Sequence, residues 1–238
     1  GPMLDETISS FIGRLNIPVK HQCTLGELAL YFNATQSWNA NINVIACEGW
    51  KREHLFYDWI MKWVNPSPAL QNFEATLLYP GLCFFEATNV SVGRGTNYSF
   101  EWIGAEWMNL PAMMLVGQNI LKEDLKIENL SLPITIDGNT KETKGIRIKI
   151  IEPKFYSAVI NGLILLKLVK DIHPKAFKWM PYKTNANPTG ENHLSLLLGI
   201  PNAEAIFDLP LQQWLQKMSV LIKVERWKKE IETYLLYN

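Results

Sequence analysis

The chain has 238 residues, 47% of them hydrophobic, with 23 acidic and 23 basic side chains and three cysteines. This composition supports the packed core of one domain, and the zero net charge argues against nucleic-acid or anionic-lipid partners. Neither the cysteine nor the histidine spacing fits a metal site, and no apolar run approaches the ~20 residues of a membrane span, so we expect no metal, no cofactor and no membrane.

The first elements of the chain are an irregular start and a helix. Residues 1–3 are interpreted as a cloning scar, and residues 4–23 as an extended lead-in to the domain. Thr24 and Glu27 have the spacing of a capping box, in which the hydroxyl caps the helix start and the carboxylate returns to the cap amide. The sequence therefore predicts a helix over residues 25–32.

The next segments alternate between predicted strands and helices. Alternating apolar residues predict a strand over 41–47, and an aromatic stripe predicts a helix over 51–63. A short helix is expected over 73–78, ended by Pro80, because proline lacks the amide that continues a helix. The apolar run 82–85 is typical of a buried strand.

The middle of the chain contains the remaining predicted strands. They cover residues 100–104, 130–136 and 145–151, and the last of these alternates isoleucine with basic residues as in a half-buried strand. A helix is predicted over 111–120, with Asn109 at its cap.

The end of the chain is predicted to be helical. We expect helices over 156–172, 192–198 and 209–236, the last with Trp214 and Met218 on its apolar face. Strands and helices do not alternate regularly, so the fold class is α+β: one compact domain with a mixed sheet and flanking helices.

One stretch combines a carboxylate, a guanidinium and a dense set of hydroxyl and amide groups. It runs Tyr79-Pro80-Gly81-Leu82-Cys83-Phe84-Phe85-Glu86-Ala87-Thr88-Asn89-Val90-Ser91-Val92-Gly93-Arg94-Gly95-Thr96. The glycines beside Arg94 permit sharp bends and close approach of a ligand. Hydroxyl and amide groups suit a sugar, and a guanidinium suits a carboxylate. A purely structural pair in which Glu86 and Arg94 satisfy each other remains an alternative.

This stretch closely resembles the signature of the NamZ-like exo-β-N-acetylmuramidases, a family of peptidoglycan-degrading glycoside hydrolases. The similarity covers nearly the whole chain from about Ser10. Further matching segments follow in order, among them Pro18-Val19-Lys20-His21, Thr24-Leu25-Gly26-Glu27-Leu28, Gly49-Trp50-Lys51-Arg52 and Tyr234-Leu235-Leu236-Tyr237. Ala87 and Ala69 stand where the family usually has Gly and Asn, which indicates a divergent member.

The resemblance implies two domains that face each other across a cleft, an N-terminal Rossmann-like domain and a C-terminal domain. It also implies release of N-acetylmuramic acid from the non-reducing end of peptidoglycan fragments. We expect residues 24–238 to be the C-terminal domain and the Rossmann-like domain to be absent, so that the chain alone is inactive and acts with a separate N-terminal domain. Whether that absence is natural stays open. Family membership further implies a secreted or periplasmic protein.

The resemblance also assigns candidate roles within the motif. Glycoside hydrolysis normally uses two carboxyl groups; we expect Glu86 to be the catalytic one here and any second to lie on the other domain. Arg94 is the candidate for the lactyl carboxylate of muramic acid. The other substrate-binding candidates are Thr88, Asn89, Ser91, Glu101 and His21. For Glu101 and His21 a structural role is equally consistent.

A second hypothesis is a non-catalytic module that binds peptidoglycan or a protein partner. The expected absence of one domain and the departures from the family pattern favour it. Trp50, Trp63 and Trp107 are interpreted either as core residues or as platforms on which sugars stack.

Overall fold

The computed structural model describes residues 1–121, 125–136, 138–185 and 187–237, and its sheet is built on one long hairpin. Strand β2 (Leu125–Ile136) pairs with β3 (Asn139–Ile150) along its whole length, and β1 (Trp102–Gly104) pairs with the other edge of β3. The order is β1-β3-β2. The α+β class is confirmed, and the described strand pairings are all antiparallel rather than mixed.

Two helices of the core pack closely on each other. Helix α4 (Ala158–Ile172) is buried along most of its length and crosses α2 (Phe73–Leu82) at two glycines. A Cβ on Gly81 would lie 2.1 Å from the carbonyl oxygen of Ala158, and a Cβ on Gly162 would lie 2.3 Å from that of Gly81. The two backbones therefore touch, and this contact fixes where α2 ends.

A second, smaller cluster joins the beginning and the end of the chain. Helix α1 (Leu25–Thr35) begins with the predicted capping box of Thr24 and Glu27. The ring of Tyr31 packs edge-on against Trp227, with centroids 5.1 Å apart. Before α1 the chain has a 3₁₀ turn, Glu6–Ile8, and an isolated antiparallel bridge between Met3 and Pro18, so it is not extended throughout.

One of the remaining helices packs on β2 and β3, and none of the helices in the described part of the chain has the length and apolarity to cross a bilayer. Helix α3 (Leu110–Ile120) starts at Asn109, whose side chain accepts from the Ala112 amide, as predicted. Helices α5 (His193–Leu198) and α6 (Ala203–Ile206) are short, and α5 ends at Gly199 in the left-handed region.

The single helix predicted over residues 209–236 is wrong. The segment forms α7 (Leu211–Leu221) and α8 (Glu225–Ile231), separated by a non-helical Val224. The reason lies in burial: Trp214 belongs to the main core, whereas Trp227 belongs to the smaller cluster around Tyr31. One straight helix does not serve both clusters.

Two predictions between α1 and α2 are also wrong. Residues 41–47 do not form a strand, although the alternation is real: Val44 packs against Gly26 of α1 instead of joining a sheet. In residues 51–63 only a 3₁₀ turn, Phe56–Asp58, is regular. Its aromatic residues gather around Phe73 at the start of α2, so their spacing reflects a cluster and not a helical stripe.

The boundary predicted at Pro80 is wrong as well. Helix α2 continues through Pro80 to Leu82, and the buried run after it forms a 3₁₀ helix, Cys83–Ala87, where a strand was predicted. The burial was predicted correctly, because Cys83, Phe84 and Phe85 all lie in the core. An apolar run this short does not by itself distinguish a strand from a helical turn.

Candidate functional site

Glu86 is the one partly exposed residue of an otherwise buried turn. The 3₁₀ helix Cys83–Ala87 continues directly from α2, and its other four residues are buried. The glycine contact between α2 and α4 positions the end of α2. It therefore also positions Glu86, which lies four residues after the last residue of α2. The carboxylate is thus held by the core beneath it.

Arg94 covers this carboxylate from the solvent side. Its Nη2 and Nε lie 2.5 and 2.7 Å from the same oxygen, Oε1 of Glu86. The Arg94 side chain is 48% exposed and that of Glu86 only 9%. Within the part of the chain that the structure describes, the second oxygen, Oε2, has no hydrogen-bond partner. The pair is therefore a surface feature with one carboxylate oxygen unused.

The loop that carries Arg94 depends on glycine. Gly93 has φ of +72°, and a Cβ there would meet the carbonyl oxygen of Tyr98 at 2.9 Å. Gly95 has φ of +84° but faces open space. The Arg94 guanidinium lies 4.8 Å from the ring centroid of Phe100, a cation–π arrangement that holds it over the site.

Two further ionisable side chains, Tyr79 and Cys83, lie close enough to Glu86 for its charge to influence their pKa values. Tyr79 packs edge-on against Phe100 at 4.8 Å, and burial raises its pKa, with smaller contributions from Cys83 and Glu86. Burial raises the pKa of Cys83 to about 12, and the Glu86 charge adds to this. The thiol therefore stays protonated at neutral pH and is not a nucleophile there.

Most polar side chains of the motif are used inside the protein. The Thr88 hydroxyl donates to the Phe85 carbonyl, 2.7 Å away. The Asn89 amide donates to the Ala176 carbonyl and accepts from the Lys178 amide, both at 2.9 Å. These bonds attach the loop to the segment after α4. A substrate-binding role for Thr88 or Asn89 stays a prediction that would require these bonds to be shared or broken.

Ser91 lies at a groove of about 360 Å³ between the hairpin and the loop after β1. Its Oγ accepts from the Gly93 amide at 3.2 Å. Trp107 lines the same groove and packs on His173, with centroids 5.1 Å apart. Of the other tryptophans singled out by sequence, Trp50 packs on Tyr237 and Trp63 on Phe56.

Glu101 lies apart from the Glu86 pair and is 3% exposed. Its Oε1 accepts from Asn72 at 2.6 Å, and its Oε2 from Arg147 at 2.8 Å. Both oxygens are occupied within the fold, which is the arrangement of a structural brace; the substrate role remains a prediction.

His21 lines a mostly apolar cavity of about 520 Å³ that Tyr79 and Cys83 also line. Its Nδ1 accepts from the Cys23 amide, its carbonyl accepts from the Trp227 indole, and burial lowers its pKa. These contacts tie the lead-in to α8, so a direct role of His21 toward a sugar also stays a prediction.

The segment that follows α4 contacts the Glu86 turn, although no feature of the sequence predicted this. The Met180 amide donates to the Ala87 carbonyl at 2.8 Å, and Trp179 pairs with Thr88 in an antiparallel bridge. This brings Tyr182, stacked on His193 with ring centroids 4.6 Å apart, toward the Glu86 turn. Because these residues lie about ninety positions from Glu86, no local pattern in the sequence indicates the contact.

In the described ranges, no three His, Cys, Asp or Glu side chains are grouped so as to hold a metal ion. The groups gathered at Glu86 are a carboxylate, a guanidinium and aromatic rings. Such groups transfer protons and bind anions without a metal.

Comparison with known proteins gives matches along the whole chain. Residues 77–237 match the family model of the C-terminal part of exo-β-N-acetylmuramidase NamZ, and residues 1–74 match that of its N-terminal part. The two family-model matches thus meet near residue 75, and the domain boundary expected at residue 24 stays a prediction.

One curated relative is the peptidoglycan β-N-acetylmuramidase NamZ of Bacillus subtilis strain 168. It is 32% identical over 181 residues, which are 76% of this chain but 44% of the relative. The chain thus spans less than half the length of that protein.

Two solved structures share the fold. Both are DUF1343 family proteins of Bacteroides fragilis NCTC 9343, with TM-scores of 0.84 and 0.61 at 18% and 23% identity. Each match covers all of this chain and 62% of the solved chain. Since the C-terminal family model spans most of the sequence and includes the Glu86 turn and the Arg94 loop, this chain belongs to the NamZ exo-β-N-acetylmuramidase family.

Proposed function

We propose that this chain supplies the Glu86–Arg94 wall of a glycoside hydrolase site that releases N-acetylmuramic acid from the non-reducing end of peptidoglycan fragments. One observation supports this above all: a carboxylate with a free oxygen lies under an exposed guanidinium at the protein surface. The activity carried by the name of the Bacillus subtilis relative agrees with it. A site outside the cytoplasm, as the family suggests, is part of the proposal.

The pair has the chemistry to recognise muramic acid and then act on it. The lactyl group of that sugar is a carboxylate, which competes with Glu86 for the two N–H groups of Arg94. When Arg94 turns to the substrate, the Glu86 carboxyl group is released from the guanidinium and is free to act as a general acid. That acid is then able to protonate the leaving oxygen of the glycosidic bond.

We propose that the other carboxyl group comes from further polypeptide that docks on this chain. The preferred separation is about 5 Å for retention and ~6.5–9.5 Å for inversion. The segment before α2 exposes large apolar side chains that suit such a docking surface: Ile45, Ile60, Met61 and Val64. Three of them, Ile60, Met61 and Val64, lie within five residues of one another. Clustered exposed apolar side chains commonly mark an interaction site, and the relatives are longer than this chain.

Calorimetric titration tests the recognition step. N-acetylmuramic acid and N-acetylglucosamine differ only by the lactyl ether, so we expect the first to bind at least tenfold more tightly. Arg94→Met removes that preference, since charge-assisted pairs contribute about 1.5–3 kcal/mol. Arg226→Met is the matched control, because Arg226 is 79% exposed and pairs with Glu230 along α8. Equal affinity for the two sugars contradicts the proposal.

Release of N-acetylmuramic acid from the disaccharide N-acetylmuramyl-β-1,4-N-acetylglucosamine, whose sugar leaving group requires protonation, tests the chemical step. The chain is assayed alone and mixed with the portion of the Bacillus subtilis relative that lies outside the alignment. We expect release only in the mixture, and a loss of roughly 10²–10⁴-fold for Glu86→Gln, the range of general acid–base catalysis.

A non-catalytic binding module is the second candidate. The departures from the family pattern at Ala69 and Ala87 favour it, because Ala87 directly follows the candidate catalytic Glu86. Saturable binding of N-acetylmuramic acid without turnover in any mixture supports this candidate over the hydrolase.

A further inference from the structure

A trough of about 580 Å³ opens beside Ala87, the residue after Glu86, and neither Glu86 nor Arg94 lines it. Its floor and walls come from the segment after α4 and from the starts of α5 and α6. The side chains that matter here are Trp179, Glu191, His193 and Glu204.

The trough is anionic. Glu191 and Glu204 are its charged residues, and no lysine or arginine is among the described residues that line it. One oxygen of Glu204 accepts from the Ser195 hydroxyl at 2.7 Å, which holds the carboxylate in place. Trp179 adds an indole, the aromatic group that attracts cations most strongly.

His193 is a buried polar group without a partner. It is 4% exposed, and neither ring nitrogen has a hydrogen-bond partner within the described ranges of the chain. Burial lowers its pKa, so the ring is neutral near pH 7 and one of its nitrogens is a bare acceptor. Tyr182 stacks nearly parallel to it, at an interplanar angle of 18°, and fixes the plane of the ring. An unpaired buried acceptor is destabilising, and a hydrogen-bond donor in the trough would relieve this.

We propose that the trough binds a primary ammonium group, seated between Glu191 and Glu204 against His193 and Trp179. The two carboxylates supply the charge, the imidazole accepts a proton donor, and the indole offers its face. An anionic group is repelled, and acetylation of the amine removes the charge on which the contact depends. The free amine of an amino sugar and the side chain of a diamino acid in a peptide share this chemistry. The inference goes beyond the proposed hydrolase activity and does not require it.

Calorimetry distinguishes the sources with four probes. They are methyl glucosaminide, its N-acetyl counterpart, Nα-acetyl-lysine methylamide, and the same lysine compound acetylated on its side chain. We expect at least one free amine to bind saturably, and its acetylated counterpart to bind at least fivefold more weakly. The tighter of the two amines identifies the source. Because none of the probes carries a lactyl carboxylate, failure here is separate from failure at Arg94.

Variants then locate the binding. Glu191→Gln changes an exposed side chain, and His193→Phe keeps a ring for Tyr182 while removing both nitrogens. Each is expected to weaken the amine at least fivefold, whereas Glu225→Gln, which removes a charge that is 70% exposed on α8, leaves it unchanged. No saturable binding, equal binding after acetylation, or less than fivefold weakening in Glu191→Gln would overturn the proposal.

Discussion

Two of the Glu–Arg pairs in the described part of the chain, Glu86–Arg94 and Glu101–Arg147, are built in nearly the same way but differ in what surrounds them. In each, a guanidinium lies over an aromatic ring, Arg94 over Phe100 at 4.8 Å and Arg147 over Tyr98 at 4.7 Å. Arg147 donates to one oxygen of Glu101 and Asn72 to the other, so both carboxylate oxygens are occupied, while the buried Nε of Arg147 has no partner among the described residues. The pair at Glu86 leaves one oxygen free and its arginine half exposed.

The difference separates a brace from a site. Separating a buried ion pair whose carboxylate oxygens are both occupied destabilises the protein. An arginine at the surface, by contrast, exchanges its carboxylate partner for a ligand at little cost in free energy. The residue types alone do not distinguish the two.

The largest expected change in the free energy of unfolding is at the Glu101–Arg147 pair. Arg147→Met leaves Glu101 buried with one oxygen unpaired, and the loss of a buried partner is destabilising by about 3–5 kcal/mol. Urea unfolding followed by tryptophan fluorescence measures this. A change under 1 kcal/mol would mean that the Glu101 pair is no more structural than the Glu86 pair.

The next largest change in the free energy of unfolding is expected at the contact between α2 and α4, which positions Glu86. Gly81→Ala places a methyl group 2.1 Å from the Ala158 carbonyl oxygen, so α2 and α4 are forced apart. Overpacking of this kind typically costs about 1–3 kcal/mol. The same unfolding assay measures it, and Gly95→Ala, where the site is open but φ is +84°, separates backbone strain from steric overlap. Equal losses in the two variants contradict a steric cause.

The sequence predicted the α+β class and the elements whose signals are local. Helix α1 has its capping box, α3 its asparagine cap, and β3 its alternation of isoleucine with basic residues. The failures fall where distant contacts decide. Val44 alternates as in a strand but packs on α1, and the two terminal helices separate because Trp214 and Trp227 belong to different clusters.

The candidate site shows the same division. The motif drew attention to Glu86 and Arg94 together, because the two lie eight positions apart in one loop and their charges are complementary. It did not show that Asn89 is bonded to residues near 177, or that Tyr182 and His193 approach the turn. Those contacts are made by residues that follow α4 in the chain. The residue pattern near position 86 therefore does not predict them.

A smaller effect is expected at the surface pair. Arg94→Met and Glu86→Gln should each change the free energy of unfolding by about 1 kcal/mol or less, because removal of Arg94 opens Glu86 to water. A double-mutant cycle measured by urea unfolding gives the coupling between them. A coupling above about 3 kcal/mol would place this pair with the brace at Glu101 and would weaken the case for a substrate site.

The smallest effect is expected at the thiol beneath the site. Cys83 is fully buried with its pKa raised to about 12, whereas Cys47 is exposed. With iodoacetamide at pH 8, Cys47 should react first, and Cys83 should react only when the protein unfolds. Arg94→Met should leave this order unchanged if the guanidinium covers only the carboxylate. Rapid alkylation of Cys83 in that variant, detected by peptide mass mapping, would show instead that Arg94 closes the core and that the two Glu–Arg pairs are both structural.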